Sequence, residues 1–365
     1  MKKILSILLI LILSVGCLSA CGSNGGRRDG KLRIVATIFP EYDWVKSILG
    51  DRAADVELTL LLDNGVDLHS YQPTADDILT ISDCDLFIYV GGESDRWVED
   101  ALKNPVNKNR VVINLMEVLG SAVKEEEIVE GMQEEHDHDH GDGDHEDGDH
   151  EDGDHEDGDH EDGDHEDGDH EDGDHEDGDH DHDEEGPEYD EHVWLSLRNA
   201  AIIVKSLSES LQKLDPDHAE TYRRNTEDYL AKLTALDGQY KAAVEGASVK
   251  TLLFGDRFPF RYMTDDYGLK YYAAFVGCSA ESEASFETIA FLSEKVDELS
   301  LRSVITIEGT DHRIAETIIR NTKTKDQQIL VLDSLQSAKA EDIKNGVTYL
   351  SVMEKNLNVL KEALK

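Results

Sequence analysis

The stretch HAETYRRNTEDYLAKLTALDGQYKAAV, residues 218–244, divides the chain into two halves. It contains no proline and only one glycine, Gly238. An uninterrupted stretch of this length predicts a single helix of some seven turns, roughly 40 Å long at about 1.5 Å per residue. Asp215-Pro216 ends the helical segment that precedes it. We therefore predict a linking helix within residues 217–246 that joins two lobes.

Short apolar runs alternate with helical segments on both sides of this helix. Strands that alternate with helices pair in parallel and are covered by helices on both faces. The sequence therefore predicts an α/β fold of two lobes, residues 31–216 and 247–365, each with a mostly parallel sheet. Ligands bind beyond the carboxyl ends of such strands, so the two lobes would enclose a cleft. The predicted strands are residues 31–39, 56–62, 86–90, 111–114, 249–254, 270–275, 303–308 and 328–332.

The N-terminus has the features of an export signal. Met1-Lys2-Lys3 is followed by an apolar run, Ile4 to Val15, that is too short to span a membrane, and then by small residues. Leu18-Ser19-Ala20-Cys21 resembles the lipobox of bacterial lipoproteins. We predict a signal peptide over residues 1–20, lipidation at Cys21 and a flexible tether over residues 21–30. The protein would then be extracytoplasmic and anchored to the bacterial cell membrane.

Residues 134–191 form an acidic repeat of the type Asp-Gly-Asp-His-Glu. The formal net charge of the chain is −46, and this segment holds 34 acidic residues and no Lys or Arg. The remainder is only moderately acidic, which argues against nucleic acid as a partner. Because so few apolar residues cannot offset the entropy of ordering, we predict a disordered loop.

The same repeat carries 12 of the 16 histidines of the chain. Imidazoles spaced by carboxylates and glycine predict an accessory loop that binds metal ions weakly and at many sites. A calcium loop of the EF-hand type is excluded, because its sixth position requires glycine and Asp147 stands there when the count begins at Asp142. The histidines are His136, His138, His140, His145, His150, His155, His160, His165, His170, His175, His180 and His182.

Three metal-ligating side chains stand outside the repeat, after predicted strands or in loops. His69 lies in Val66-Asp67-Leu68-His69-Ser70-Tyr71-Gln72-Pro73, His192 in Glu191-His192-Val193-Trp194-Leu195-Ser196, and Asp333 in Leu330-Val331-Leu332-Asp333-Ser334. In these segments the chain resembles the metal-binding lipoproteins that serve zinc and manganese ABC transporters, which have two lobes joined by a long helix. The resemblance covers essentially the whole mature chain.

The motifs of that family match this chain closely. Its Gly-x-Asp-Pro-His-x-Tyr-x-Pro segment matches residues 65–73, with Leu68 in place of the first proline, and its Asp-x-His-x-Trp-Leu-Ser segment matches residues 190–196. The resemblance implies that His69, His192 and Asp333 are ligands of the transported metal.

One ligand of the family's set is missing. The resemblance implies a His or Glu after the first strand of the second lobe, where this chain has Gly255-Asp256-Arg257-Phe258-Pro259-Phe260. Glycine offers no side-chain ligand, so another group would have to replace it. Its place at a strand end favours Glu308. Water is an alternative, as are the side chains of Asp256, Cys278, Glu281 and Glu283.

The predicted ligands suit zinc. Two imidazoles and a carboxylate bind Zn²⁺ at about 2.0–2.2 Å. The same set also accepts Mn²⁺, so ligand identity alone does not decide between them. An acidic histidine-rich loop at this place is typical of the zinc-specific members of the family, and we therefore expect zinc.

The resemblance implies a monomeric solute-binding lipoprotein that delivers the ion to an ABC transporter permease. The alternatives are a cell-surface zinc buffer or chaperone and an adhesin, neither coupled to transport. We predict that the protein is not an enzyme, because the sequence contains no His-Glu-x-x-His or similar motif. The sequence leaves open whether Cys84 and Cys278 form a disulfide.

Overall fold

The computed structural model describes residues 30–133, 188–279 and 283–365. The predicted signal peptide, Cys21, the 12 histidines of the repeat and the alternative ligand Glu281 lie outside the described residues. Within the described ranges, no helix combines the length and the apolar character needed to cross a membrane.

The first lobe contains a four-stranded parallel sheet. Its elements are β1 Arg33–Ala36, α1 Phe39–Leu49, β2 Glu57–Leu60, α2 Ala75–Asp83, β3 Leu86–Tyr89, α3 Trp97–Leu102, β4 Val111–Asn114 and α4 Leu115–Leu119. The strand order is β2-β1-β3-β4, with Ile34 of the central strand beside both Leu58 and Leu86. Successive residues of β1, Ile34 and Val35, are both buried, as expected for a parallel sheet covered on both faces.

Two helices follow the first lobe, α5 Leu197–Leu214 and α6 Ala219–Glu245. The break between them lies at Asp215 and Pro216, and α6 has 27 residues, as the sequence predicts. The long helix contacts both halves of the chain. The side chain of Asn225 donates to the Ile48 carbonyl in α1 at 2.9 Å, and the Tyr240 hydroxyl donates to the Met353 carbonyl near the C-terminus at 2.6 Å.

The second lobe repeats the topology of the first. Its elements are β5 Thr251–Phe258, α7 Arg261–Tyr267, β6 Lys270–Val276, α8 Phe286–Leu299, β7 Ser303–Ile307, α9 Arg313–Asn321, β8 Gln328–Leu332, α10 Ala340–Lys344 and α11 Tyr349–Ala363. The strand order is β6-β5-β7-β8, and all of its strand pairs are parallel. The predicted α/β fold with two parallel sheets and a long helix is confirmed.

The two lobes share one hydrophobic core. This core extends from the first lobe through α5 and α6 to α11 and one face of the second sheet, while a separate cluster fills the space between that sheet, α8 and α9. Trp194 adds two hydrogen bonds to the second lobe. Its indole N–H donates to the Ser334 carbonyl at 2.8 Å, and its own carbonyl accepts from the Tyr349 hydroxyl at 2.7 Å. A large movement between the lobes would expose this apolar surface, so we expect only small movements.

Some boundaries differ from the sequence-based expectation. Strand β5 extends to Phe258 rather than to Phe254, because its pairing with β6 shifts in register between Phe254 and Arg257 and then continues. The short helices α3, α4 and α10 were not predicted, since five or six residues are too few to show a helical period. Residues 188–191, placed in the disordered loop by the sequence, belong to the folded lobe, and Asp190 and Glu191 are buried there.

A buried carboxyl lies at the start of α1. Glu41 is fully buried, and its Oε2 accepts from the backbone N–H of Thr37 at 2.8 Å and of Ile38 at 3.3 Å. Burial, together with the charge of Asp95, raises the pKa of Glu41 to about 8. Because the folded pKa exceeds the unfolded one, the folded protein holds a proton here that the unfolded chain releases above about pH 4.5. This group therefore favours folding at low pH and lowers stability as the pH rises through about 8.

We predict that Glu41→Gln removes this pH dependence. The amide oxygen can accept from Thr37 and Ile38 as the carboxyl does, without a charge to desolvate. In excess chelator, urea unfolding at pH 5, 7 and 9 should show an advantage of the variant over the wild type that grows with pH to a few kcal/mol. Glu99→Gln, at an exposed position of α3, is the control and should follow the wild type. A constant difference between Glu41→Gln and the wild type across this range would contradict the prediction.

Candidate metal centre

His69 is held in place by the short turn that contains it. The residues Leu68–Ser70 form one turn of 3₁₀-helix, and the Asp67 carboxylate accepts from the His69 backbone N–H at 3.0 Å. Leu68, which stands where the family motif has proline, is 1% exposed and anchors the turn in the core. The ring nitrogen Nδ1 lies 2.7 Å from Ser94 Oγ and 3.6 Å from Glu191 Oε2. These partners for Nδ1–H leave the Nε2 lone pair for a metal ion.

His192 is held by the residue two positions before it. Asp190 Oδ1 accepts from the His192 backbone N–H at 2.8 Å and lies 3.0 Å from the ring Nδ1. The ring is fully buried. A carboxylate on Nδ1–H fixes the tautomer whose Nε2 binds a metal and makes that nitrogen more basic.

The two imidazoles meet at their Nε2 atoms. His69 Nε2 and His192 Nε2 are 3.1 Å apart, and the ring centroids are 5.1 Å apart. Two imidazole nitrogens on one tetrahedral zinc ion, each at about 2.0–2.1 Å, are separated by about 3.3 Å. The observed spacing is therefore close to that of a shared metal ion, although 123 residues separate the two histidines in sequence.

A thiol from the second lobe completes a cluster of three ligand atoms. Among the described residues, the side chains of His69, His192 and Cys278 place their ligand atoms within 4.8 Å of one another. Cys278 follows β6 and is half-buried, and both it and Cys84 are free thiols. The structure thus brings together two of the residues predicted as ligands and one of the alternatives named for the missing position.

Asp333 and Glu308 do not belong to this cluster. Asp333 Oδ1 accepts from the Leu335 backbone N–H at 2.9 Å. Glu308 Oε2 accepts from the Ser334 backbone N–H at 2.6 Å and its Oε1 from the Ser334 hydroxyl at 2.7 Å, so both oxygens stabilise the loop after β8. Their roles as ligands stay predictions.

Position 255 does not face the cleft. A Cβ atom on Gly255 would lie 2.7 Å from Ala315 Cα in α9, so the absence of a side chain here allows the helix to pack against β5. The residue of β5 that reaches the first lobe is Arg257, whose guanidinium donates to Asp67 Oδ2 at 2.7 Å. Where β5 approaches the first lobe, the chain therefore has the Arg257–Asp67 ion pair in place of a metal ligand.

Burial and nearby charges shift the pKa values of the two histidines in opposite directions. Burial, followed by the charge of His192, lowers the pKa of His69 to about 3. Burial would also lower the pKa of His192, but the charge and the hydrogen bond of Asp190, with the charge of Glu191, raise it above its ordinary value. His69 is thus neutral over the whole physiological range and ready to bind a metal.

Burial, followed by the charges of Glu191 and Glu126, raises the pKa of the Cys278 thiol well above its ordinary value. The thiol of the metal-free protein therefore carries its proton. A bound divalent cation reverses this preference, because a coordinating thiol is deprotonated by the charge of the metal. Metal binding at this cluster should release a proton.

An acidic cavity opens beside the cluster. Its volume is about 230 Å³. Its wall includes His69 and Cys278 together with four carboxylates, those of Glu93, Glu126, Glu188 and Glu191. A cavity lined by one sign of charge concentrates ions of the opposite sign, so this one favours entry of cations.

Several residues of the site carried no recognisable signal in the sequence. Ser94 and Glu191 hold His69, and only the fold brings Ser94 near it. Gln336 is buried between Asp67 and His192, and with its amide nitrogen toward Asp67 its carbonyl oxygen lies 2.9 Å from His192 Nε2. Glutamine, glutamate and serine side chains are too common in sequences to mark a site without the structure.

Comparison with known proteins gives a consistent family. A family model described as "Zinc-uptake complex component A periplasmic" matches residues 34–363. The chain is 33% identical to the zinc-binding lipoprotein AdcA of Streptococcus pneumoniae over 99% of its length. It is 28% identical to the high-affinity zinc uptake system protein ZnuA of Bacillus subtilis, over 97% of this chain and 94% of that protein.

The fold is also found among solved structures. The Zn(II)-bound ZnuA-like domain of S. pneumoniae AdcA superposes with a TM-score of 0.63 at 27% identity, covering 92% of this chain and 99% of that domain. This chain spans 61% of the length of the full AdcA protein that it matches.

We predict that Gly277→Ala weakens metal binding at the cluster. A Cβ atom at position 277 would lie 2.9 Å from His192 Cε1 and 2.9 Å from the Phe258 carbonyl oxygen, so the ring has to move. Displacing a ligand in this way should weaken zinc binding about 10- to 100-fold, measured by competition with a chromophoric chelator.

Gly238→Ala is the matched control for this substitution. A Cβ atom at position 238, in the middle of α6, meets nothing within 4 Å. The control should keep wild-type affinity and gain about 0.5–1 kcal/mol of stability from the added helix propensity. Equal zinc affinities of the two variants would show that the close approach of residue 277 to His192 has no part in binding.

Proposed function

Because the chain belongs to the family of periplasmic component A of zinc-uptake complexes, we propose that it captures a divalent metal between its two lobes for import. The observation that carries this proposal is the 3.1 Å approach of His69 Nε2 and His192 Nε2. Each ring is held through its Nδ1 by an oxygen of the surrounding protein. Such a pair is prepared to bind and release an ion without rearranging the fold.

Zinc is the proposed cargo. The streptococcal and Bacillus relatives are named for zinc binding and zinc uptake, and a related domain has been solved with Zn(II) bound. Two imidazoles at tetrahedral spacing are a typical half of a zinc site. Manganese is the alternative cargo that the sequence leaves open, and it prefers more oxygen ligands than this cluster offers.

The proposed setting is the outer side of a bacterial membrane. The export signal, lipidation at Cys21 and the tether would hold a monomer near an ABC transporter permease, to which it would pass the ion. The lipoprotein name of the streptococcal relative supports the anchor. We assign the site to binding and release rather than to catalysis, because the matching family and relatives are named for metal binding and uptake.

The histidine repeat would act as an accessory. Its 12 imidazoles among carboxylates would bind many ions weakly and raise the local zinc concentration near the acidic cavity. A buffer or chaperone that stores zinc without feeding a transporter would depend mainly on this repeat. A receptor would depend mainly on His69 and His192.

We predict that His69→Ala and His192→Ala each lower the affinity of the tightest zinc site at least about 100-fold, because each removes a ligand of a site that has few. The measurement is zinc competition against a strong chelator, so that the weak sites of the repeat stay unoccupied. His218→Ala is the control, since His218 is half-buried at the start of α6 and hydrogen-bonds Asp215. Zinc-limited growth of the producing bacterium should fail with the first two variants alone. Growth that persists without both histidines would refute the receptor function.

We predict that deleting residues 134–187 lowers the number of bound zinc ions but leaves the tightest site intact. The cluster is formed by side chains of the folded lobes, and the deletion removes none of them. Zinc titration followed by elemental analysis counts both classes of site. If the deletion abolished tight binding, zinc storage by the repeat would become the better account.

A further inference from the structure

Glycine at position 255 leaves one position of the expected ligand set to be filled by another group. The carboxylates considered for it are already engaged. Glu308 accepts hydrogen bonds from Ser334, and Asp256 accepts from the backbone N–H groups of Arg257 and Ile307 at 2.9 and 3.2 Å. Glu283 lies at an exposed position. The Cys278 thiol, in contrast, already lies within 4.8 Å of a ring nitrogen of each histidine.

The backbone around Cys278 places the thiol close to His192. Gly277 allows the end of β6 to approach the His192 ring, where any side chain would meet the ring at 2.9 Å. The Cys278 backbone N–H donates to Glu126 Oε1 at 3.3 Å, which connects the segment to the first lobe. These contacts hold the thiol at the junction of the lobes.

The Cys278 sulfur needs only a small movement to reach a bonding position. In a tetrahedral zinc site with Zn–S of about 2.3 Å and Zn–N of about 2.0–2.1 Å, sulfur and nitrogen are about 3.6 Å apart. The sulfur therefore has to approach the imidazole nitrogens by at most about 1.2 Å. A rotation of the cysteine side chain covers such a distance without moving the backbone.

A thiolate would also decide which metal is kept. The carboxylates of the acidic cavity attract any cation, so they do not distinguish zinc from manganese. A sulfur ligand distinguishes the two metals, because thiolates favour zinc and other soft or borderline ions, whereas manganese prefers oxygen ligands.

We propose that Cys278 binds the metal as a thiolate, together with His69 Nε2 and His192 Nε2, and that this sulfur selects zinc over manganese. The inference rests on the proposed receptor function and deepens it by naming the ligand and the basis of selection. On binding, a metal–sulfur bond forms and the thiol proton passes to solvent, with no change of oxidation state.

Cobalt(II) is the probe for this proposal. One equivalent is added to the full chain, and absorption spectra are compared for the wild type, Cys278→Ala and Cys84→Ser. The repeat contains no cysteine, so it cannot produce a sulfur-to-cobalt charge-transfer band in the near ultraviolet. Cys84 is a matched control, because it is the other thiol of the described lobes, is buried, and donates to the Ile81 carbonyl at 3.1 Å.

The wild type and Cys84→Ser should show the charge-transfer band, and Cys278→Ala should lack it. A band that persists in Cys278→Ala, or a wild-type complex that shows only the visible bands of nitrogen and oxygen ligands, would overturn the proposal while leaving capture by the histidines in place. Charge transfer in a protein that fails to support zinc-limited growth would instead confirm the ligand and refute the receptor function.

A second variant tests selection. Cys278→Asp keeps a negatively charged ligand but replaces sulfur by oxygen. It should still bind zinc, and the ratio of its zinc affinity to its manganese affinity should fall at least about tenfold. An unchanged ratio would show that sulfur does not select the metal.

Discussion

The position of the buried His192 ring determines the geometry of the cleft. Asp190 holds its Nδ1 at 3.0 Å, and Gly277 of the second lobe lies close to its Cε1. Two residues later, Trp194 hydrogen-bonds the loop after β8 and accepts from Tyr349 in α11. One short segment of the first lobe is thereby fixed by contacts to both lobes. A metal ion at His192 Nε2 consequently has neighbours from both sides of the cleft.

The shared hydrophobic core holds the two sides of the cleft in fixed positions. The two sheets have the same strand order, and the carboxyl ends of their strands supply the cleft residues, as is usual for open parallel sheets. The linking helix α6 contacts both lobes, and apolar packing continues through it. Binding by this protein should thus depend on side-chain movements of about an ångström more than on closure of the lobes. That fits a receptor that must release its ion again.

The sequence was sufficient for the architecture and for naming two histidines that the structure brings together. All eight strands were predicted because apolar runs in parallel sheets are local and are separated by helical segments. His69 and His192 were predicted because each lies in a short motif. The position of Cys278, the further ligand that we propose, could not be derived in this way. Whether residue 255 or 257 faces the cleft depends on the irregular pairing of β5 with β6, and the place of Cys278 depends on how a glycine meets a ring 85 positions earlier in the chain.

We expect one tightly bound metal ion between His69 and His192, with the sulfur of Cys278 as a further ligand. The most direct measurement is a crystal structure of the protein with one equivalent of zinc, with anomalous data collected on both sides of the zinc absorption edge. A single strong anomalous peak should lie about 2.1 Å from both Nε2 atoms and about 2.3 Å from Cys278 Sγ. A peak beyond bonding distance of Cys278 Sγ, or one with no contact to either histidine, would contradict this arrangement.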